Sequence, residues 1–147
     1  MTCIPPYCVK RPSETSADRR LDTNVVIRLL VGDDARQAKI AERLVAAQPC
    51  TVAMSVLMEC EWVLRACYAL DAPQIEGAMR DLLSLQNIAA ADAVLTQRVL
   101  DAYGAGIDFA DALHAAQGPD GDQFTTFDKP LARDARKAGL HGVVFLK

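Results

Sequence analysis

Apolar residues form two kinds of pattern along the chain, one typical of helices and one typical of short buried strands. The two patterns alternate, which predicts helices separated by short strands. In the helical stretches apolar residues recur every three or four positions, whereas the strands are compact apolar runs bounded by turn residues. The predicted helices are a short one after Asn24 and the segments 35–47, 55–70, 73–83, 90–103, 109–117 and 128–137. The predicted strands are a short run ending at Asp22 and the segments 51–54, 87–88, 123–127 and 143–146. Strands that alternate with helices in this way favour an α/β fold with a parallel sheet covered on both faces.

The composition is that of one folded domain preceded by a tail. The chain has 147 residues, of which 51% are apolar and 24% are charged. Residues 1–18 contain Pro5, Pro6 and Pro12 without any periodicity, so we predict a disordered or non-native tail there. The domain is predicted to span residues 19–147.

The cysteines and the longest apolar runs predict a cytoplasmic protein without membrane contact. No apolar run approaches the roughly 18 residues of a membrane-spanning helix, and the first residues lack the apolar core of a secretory leader. Five cysteines are an odd number, and Cys60 and Cys67 lie one heptad apart in an apolar helical pattern. This arrangement predicts reduced core thiols rather than a disulfide framework. A net charge of -3 excludes nucleic-acid binding by bulk charge, so such binding needs a local basic rim or a metal.

Carboxylates follow the predicted strands at the points where each strand ends. Asp22 follows the first strand, Asp128 follows the strand at 123–127, and Glu59 lies one turn into the helix after the second strand. Asp108 and Asp111 are three residues apart at the start of another helix, which places them on one face. Because the carboxyl ends of parallel strands meet at one edge of a sheet, we expect these acids to converge.

Converging carboxylates predict a site for a hard divalent cation. Like charges that lie close together repel and lose hydration, and Mg²⁺ or Mn²⁺ removes that conflict because both ions prefer carboxylate oxygens and water. The chain has no set of His and Cys residues suited to zinc and no glycine-rich phosphate loop. The chemistry that fits is hydrolysis of a phosphodiester by a metal-activated water.

Each of these acids also has an interpretation that needs no metal. Asp108 and Asp111 have the spacing of a capping pair, and Asp128 before Lys-Pro has the position of a helix N-cap. Glu59 has mostly apolar neighbours, and a buried unpaired carboxylate would be costly, which favours a functional role. Glu61 lies two positions after Glu59, and of these two glutamates it could equally be the solvated one.

Three other features favour structural roles. A lone helical histidine such as His114 is more often packed or half-exposed than a ligand, so we assign it no function. Trp62 is predicted to be a core residue rather than a base-stacking platform. The helical face formed by Arg36, Lys39 and Arg43 is predicted to be a solvated surface.

Four segments, in order and at matching spacing, resemble the PIN domain, and more closely the VapC toxin branch of type II toxin–antitoxin systems. The segments are Leu21-Asp22-Thr23-Asn24-Val25, Ser55-Val56-Leu57-Met58-Glu59, Asp108-Phe109-Ala110-Asp111-Ala112-Leu113-His114 and Thr126-Phe127-Asp128-Lys129. The resemblance extends from about residue 19 to residue 147.

The resemblance implies a three-layer α/β/α fold around a short central parallel sheet and the activity of a Mg²⁺- or Mn²⁺-dependent endoribonuclease. The acids that it implies as catalytic and metal-binding residues are Asp22, Glu59, Asp111 and Asp128. The residues to which it gives supporting roles are Thr23, Asn24, Ser55, Asp108 and Thr126. It also implies an RNA substrate, a homodimer and a cognate VapB-like antitoxin that often places an arginine among the acids, where a guanidinium can substitute for the cation.

Two other classes of protein remain as alternatives. A signalling receiver domain is also α/β with an acidic pocket, and Lys129-Pro130 after a strand imitates its pattern, but Ser55 follows the second strand where a receiver needs a phosphorylatable aspartate. A catalytically inert binding module on the PIN fold is the second alternative. The presence of all four acids argues against it.

Overall fold

A computed structural model describes residues 19–147, which form five short strands joined by one or two helices each, seven helices in all. The helices are α1 Thr23–Val31, α2 Ala35–Ala47, α3 Met54–Tyr68, α4 Ala72–Ser84, α5 Ala93–Gly104, α6 Phe109–Ala116 and α7 Lys129–Lys137. The strands are β1 Arg19–Arg20, β2 Cys50–Val52, β3 Ile88–Ala90, β4 Phe124–Thr126 and β5 Val143–Phe145. All pairings between these strands are parallel, which confirms the predicted α/β class. The predicted tail at 1–18 lies outside the described residues.

The chain divides into two compact units, of which the first ends at Ala93. Its described residues hold a three-stranded parallel sheet in the order β1-β2-β3, with Arg19 opposite Cys50 and Cys50 opposite Ile88. The helices α1, α3 and α4 pack against one another, and α4 also packs against β3. Their fully buried side chains form the core of this unit: Val26, Val52, Leu57, Leu64, Ile75, Met79, Leu83 and Ile88. The helix α1 begins shortly after β1, and α3 begins shortly after β2. The first turns of both helices therefore follow the carboxyl ends of neighbouring strands.

The second unit runs from Val94 to Lys147 and contains a two-stranded parallel sheet, β4-β5. The helix α7 connects these two strands and packs against both of them. The rings of Tyr103 and Phe109 meet edge to face with their centroids 5.2 Å apart, which fixes the start of α6 against the end of α5. Phe109 is fully buried, and Ala112 and Ala135 are buried with it.

Two predictions about local structure are wrong. The helix predicted from residue 90 begins at Ala93, because Ile88–Ala90 pairs with Cys50–Val52 as a longer strand than the sequence indicated. Cys60 is buried as predicted, but Cys67 is exposed near the end of α3. The three cysteines of the described part of the chain carry thiols and form no disulfide. No helix over residues 19–147 has the length and apolar character needed to cross a membrane.

A polar network holds the turn between α1 and α2 against the end of α3. Arg28 Nη1 donates to Asp33 Oδ1 at 2.8 Å and Arg28 Nε donates to Gln37 Oε1 at 2.8 Å. Tyr68 Oη donates to Asp33 Oδ2 at 2.5 Å. The hydrogen bond from Tyr68, followed by the charge of Arg28, lowers the pKa of the Asp33 carboxyl, and the same hydrogen bond raises the pKa of the Tyr68 phenol.

This network predicts a pH-dependent contribution to stability. A carboxylate whose pKa is lowered in the folded state adds stability above the pKa of the unfolded chain, and that contribution is lost as the pH falls through the folded pKa. The parent should therefore have a larger free energy of unfolding than Asp33→Asn at pH 7. The difference should shrink as the pH falls below about 4, the ordinary pKa of an aspartate. Urea unfolding followed by circular dichroism at neutral and acidic pH measures both values.

The matched control for this experiment is Asp81→Asn. The carboxylate of Asp81 is exposed and makes no hydrogen bond or ion pair within residues 19–147, so its replacement should leave the stability difference near zero at both pH values. A difference between the parent and Asp33→Asn that is equally large at both pH values would contradict the role of the Asp33 charge.

Candidate functional site

Asp22 ends the first strand and begins α1 without using its carboxylate as a cap. The backbone of Asp22 is extended and its carbonyl oxygen accepts a hydrogen bond from the Val26 amide at 3.1 Å, but its side chain makes no capping hydrogen bond. The nearest polar contact of the carboxylate is Asn24 Nδ2, which donates to Asp22 Oδ2 at 3.4 Å. The Asp22 side chain is exposed. Its oxygens are therefore available to a ligand.

Thr23 connects the acid on α3 to the start of α1. Its Oγ1 donates to Glu59 Oε2 at 2.5 Å, a contact made possible because α1 packs against α3. The thiol of Cys60 is buried next to Glu59 in the sequence of α3. Burial first, and then the negative charges of Glu59 and Asp22, raise the pKa of Cys60 to about 12. Because Thr23 directly follows Asp22, the hydrogen bond from Thr23 places the Glu59 carboxylate beside the start of α1.

The expectation that Glu59 is a buried acid is wrong. Glu59 is exposed, whereas Glu61, two positions along α3, is only 4% exposed and accepts a hydrogen bond from Arg65 Nε at 2.9 Å. Two positions on a helix differ by about 200°, so only one of the two glutamates can face the core. The cost of removing a carboxylate from water therefore falls on Glu61, which has an arginine partner, and not on Glu59.

Ser55 does not cap α3. The helix begins at Met54 with Ala53 at the N-cap, because β2 ends at Val52. Ser55 is exposed and lies four residues before Glu59, on the same helical face. The prediction that Ser55 caps the helix is therefore wrong. The side chain of Ser55 lies on the same side of α3 as that of Glu59.

The second unit contains two acids that cap helices, as their alternative interpretation predicted. Asp108 Oδ1 accepts hydrogen bonds from the amides of Ala110 at 3.0 Å and Asp111 at 3.4 Å. Asp128 Oδ1 accepts a hydrogen bond from the amide of Leu131 at 2.8 Å, and the Asp128 amide donates to Thr126 Oγ1 at 3.0 Å. Capping fixes both carboxylates at the first turns of α6 and α7.

Asp111 lies in the first turn of α6, close to both capping acids. Burial raises the pKa of the Asp111 carboxyl, and the negative charges of Asp108 and Asp128 raise it further. His114, three residues along α6, acts in the opposite direction. Three acids of the second unit therefore share one negatively charged region.

The candidate acids have no cationic partner among the residues that the structure describes. Within residues 19–147 the ion pairs involve other carboxylates, such as Asp33 with Arg28 and Glu61 with Arg65. The acids that form none are Asp22, Glu59, Asp108, Asp111 and Asp128. In each unit, carboxylates without a paired arginine or lysine are suited to a cation from solution.

The donor chemistry of the acids fits Mg²⁺ or Mn²⁺. In the described part of the chain, no group of three or more His, Cys, Asp or Glu side chains is arranged to hold a metal ion. Mg²⁺, however, is usually held by one or two carboxylates together with water and substrate phosphates, rather than by a cage made entirely of protein ligands. The pair Asp22 and Glu59 supplies that number of oxygen ligands.

Two aromatic side chains near the candidate acids in sequence are exposed. Trp62 is 56% exposed on α3, so its predicted place in the core is wrong. Ser55, Glu59 and Trp62 have the spacing i, i+4, i+7, and this phase places the tryptophan on the same face as the acid. Phe127, which the sequence reasoning did not single out, is 78% exposed directly before Asp128. His114 is exposed and its ring lies parallel to that of Phe124 at 6.4 Å, in agreement with a structural role.

Comparison with protein families gives one match. The PIN domain model matches residues 20–137, whereas no curated protein and no solved structure matches the chain. The match supports the predicted three-layer α/β/α architecture. It also favours a PIN domain over the alternative of a signalling receiver domain. PIN domains are generally nucleases and commonly depend on divalent metal ions. Since the match covers most of the length of the chain, the chain belongs to the PIN domain family.

Proposed function

We propose that this PIN domain is a metal-dependent endoribonuclease of the VapC-like toxin type, which hydrolyses phosphodiester bonds in RNA. The observation that carries the proposal is the set of acids that have no cationic partner within residues 19–147, at the positions where the sequence resembles the VapC motifs. Asp22 and Glu59 belong to the first unit and Asp111 and Asp128 to the second, and the resemblance to VapC toxins gives all four acids the same catalytic role.

The proposal assigns different roles to the acids and to their polar neighbours. The residues that would hold Mg²⁺ or Mn²⁺ are Asp22, Glu59, Asp111 and Asp128. When bound, such an ion lowers the pKa of a water molecule and offsets the charge of the phosphate. Thr23 orients Glu59 through its hydrogen bond, and Thr126 holds the turn before α7 by accepting from the Asp128 amide. Asn24, Ser55 and Asp108 have supporting roles, of which the cap made by Asp108 is the clearest.

Removal of the metal is the direct test of this proposal. End-labelled single-stranded RNA should be cleaved with Mg²⁺ or Mn²⁺ present, and a chelator should lower the rate by about 100-fold or more, because the metal supplies several kcal/mol of charge stabilisation. Adding Mn²⁺ in excess of the chelator should restore the rate. Initial rates from gel electrophoresis measure these changes.

A thermal shift with Mn²⁺ separates the nuclease from an inert module. An ion that binds only the folded state stabilises the protein by mass action, by about 2.7 kcal/mol at 100 times the dissociation constant. A raised melting temperature together with metal-dependent cleavage supports the proposal. A raised melting temperature without cleavage favours the inert binding module, and the absence of both contradicts any metal-dependent function.

We further propose that a small VapB-like antitoxin neutralises the protein and that the toxin forms a homodimer. The support for the antitoxin is electrostatic, since acids that have no cationic partner in the described part of the chain offer a site for an arginine side chain, whose guanidinium binds carboxylates through two hydrogen bonds. The homodimer rests on the resemblance to VapC toxins. Such a system acts in the cytoplasm, where its RNA substrate is. Co-purification with the product of the neighbouring reading frame tests the partner, and a monomer in sedimentation experiments would contradict the dimer.

A further inference from the structure

The helix α7 presents a basic face to solvent although the chain as a whole is acidic. Its four basic residues have the spacing i, i+4, i+7, i+8, which places them on one side of the helix, and all four are exposed. They are Lys129, Arg133, Arg136 and Lys137. Against them the helix has a single acid, Asp134, in a chain whose net charge is -3. Positive charge is therefore concentrated locally in α7.

Two of these cations have no acidic partner in the described part of the chain. Arg133 binds Asp134 through two hydrogen bonds of 2.8 and 3.0 Å, and Lys137 Nζ lies 4.0 Å from the same carboxylate. Lys129 and Arg136 form no ion pair within residues 19–147. Since they are seven positions apart, they lie about 10 Å apart along the helix axis. They can therefore contact two separate points of an extended anionic strand.

An exposed aromatic ring immediately precedes this helix. Phe127 is 78% exposed, more than any other exposed large apolar side chain of the described residues. The turn that carries it is fixed from both sides, because Thr126 Oγ1 accepts from the Asp128 amide and Asp128 Oδ1 accepts from the Leu131 amide. The ring thus lies on an ordered turn beside a candidate catalytic acid and is not covered by the surrounding protein.

We propose that Phe127 and the basic face of α7 form the rim that binds single-stranded RNA, with Phe127 stacking on a base and Lys129 and Arg136 contacting phosphates. This inference rests on the proposed function for the identity of the substrate. Proteins that bind single strands combine aromatic rings, on which bases stack, with cations that follow the backbone, and this segment has both. A base is uncharged, so it can lie beside the carboxylate of Asp128 while Lys129 and Arg136 hold the phosphates. An acidic protein segment would use the cations but would leave Phe127 without a role.

The test is a binding experiment that does not depend on cleavage. The probe is a fluorescein-labelled 2′-O-methyl RNA of about 15 nucleotides, close to the site size of single-strand binding proteins, titrated in fluorescence anisotropy at several salt concentrations. Phe127→Ala should weaken binding roughly 5- to 150-fold with an unchanged salt dependence, because stacking releases no counterions. Phe127→Trp should restore the affinity. The double variant K129Q/R136Q should reduce the slope of log affinity against log salt by about 1.4, since each phosphate contact on a single strand contributes about 0.7.

The matched control is the double variant K39Q/R43Q, which removes the same charge from an exposed face of α2 and should bind as the parent does. If Phe127→Ala and K129Q/R136Q both bind the probe with the affinity and salt slope of the parent, the proposal is overturned. If K129Q/R136Q leaves RNA binding intact but abolishes binding of an acidic protein partner, α7 is a protein-docking surface and the proposal is also overturned. A parent that binds the probe through these residues but cleaves no RNA with Mn²⁺ would contradict the proposed function and support this inference.

Discussion

Replacing Asp22 by asparagine is expected to lower the rate of RNA cleavage by about 100-fold or more, the scale seen when one charge-stabilising group is lost from an active site. Asparagine has the shape of aspartate but lacks its charge, and the Asp22 side chain makes no capping hydrogen bond that the change would break. The backbone carbonyl of residue 22 would still accept the hydrogen bond from the Val26 amide. The fold should therefore persist. Initial cleavage rates with saturating Mn²⁺ and an unfolding curve measure the two effects.

Two further variants make this result specific. Asp111→Asn should have an effect of similar size, although the side chain lies in the other unit, because the proposal gives both acids the same metal-binding role. Asp81→Asn removes one charge from an exposed position of α4 that lies outside the candidate site, and should cleave at the parent rate. If Asp22→Asn cleaves RNA as fast as the parent with Mn²⁺ present, the metal-binding role of Asp22 is wrong.

The positions of the helices could be predicted from sequence because their packing faces repeat along the chain. The helix predicted at 35–47 agrees with Ala35–Ala47 at both ends, where Asp34 caps the first turn through the Gln37 amide and Pro49 follows the last. The start of α5 was predicted three residues too early. The extent of β3 depends on its pairing with β2, a contact between segments almost 40 residues apart that local periodicity does not report.

The acids were found from their positions in the sequence, but their surroundings could not be predicted in the same way. The hydrogen bond from Thr23 to Glu59 joins residues 36 positions apart and exists because α1 packs against α3. The choice between Glu59 and Glu61, and the exposure of Trp62, depend on which face of α3 meets the core. Glu59, Glu61 and Trp62 lie on one helix, so the knowledge that a single position such as Leu57 is buried would determine which of them face the core.

Phe109→Ala is expected to destabilise the protein by about 3–5 kcal/mol, the cost of emptying the volume of a buried phenylalanine. Phe109 is 1% exposed and its ring meets that of Tyr103 edge to face, with centroids 5.2 Å apart and an angle of 74° between the planes. Such a loss is a large part of the total stability of about 5–15 kcal/mol that is usual for a domain. Urea unfolding monitored by circular dichroism, with chelator present, measures the change.

The effect should extend to the candidate site because Phe109 is the first residue of α6, between the capping Asp108 and the acid Asp111. Loss of the ring removes the apolar contact that holds the first turn of α6, so Asp108 and Asp111 should lose their fixed positions in a temperature range where the rest of the chain is folded. Phe109→Leu is the matched control, since it keeps most of the buried volume and should cost clearly less than the alanine variant. A loss below about 1 kcal/mol for Phe109→Ala would mean that this ring does not hold α6 in place.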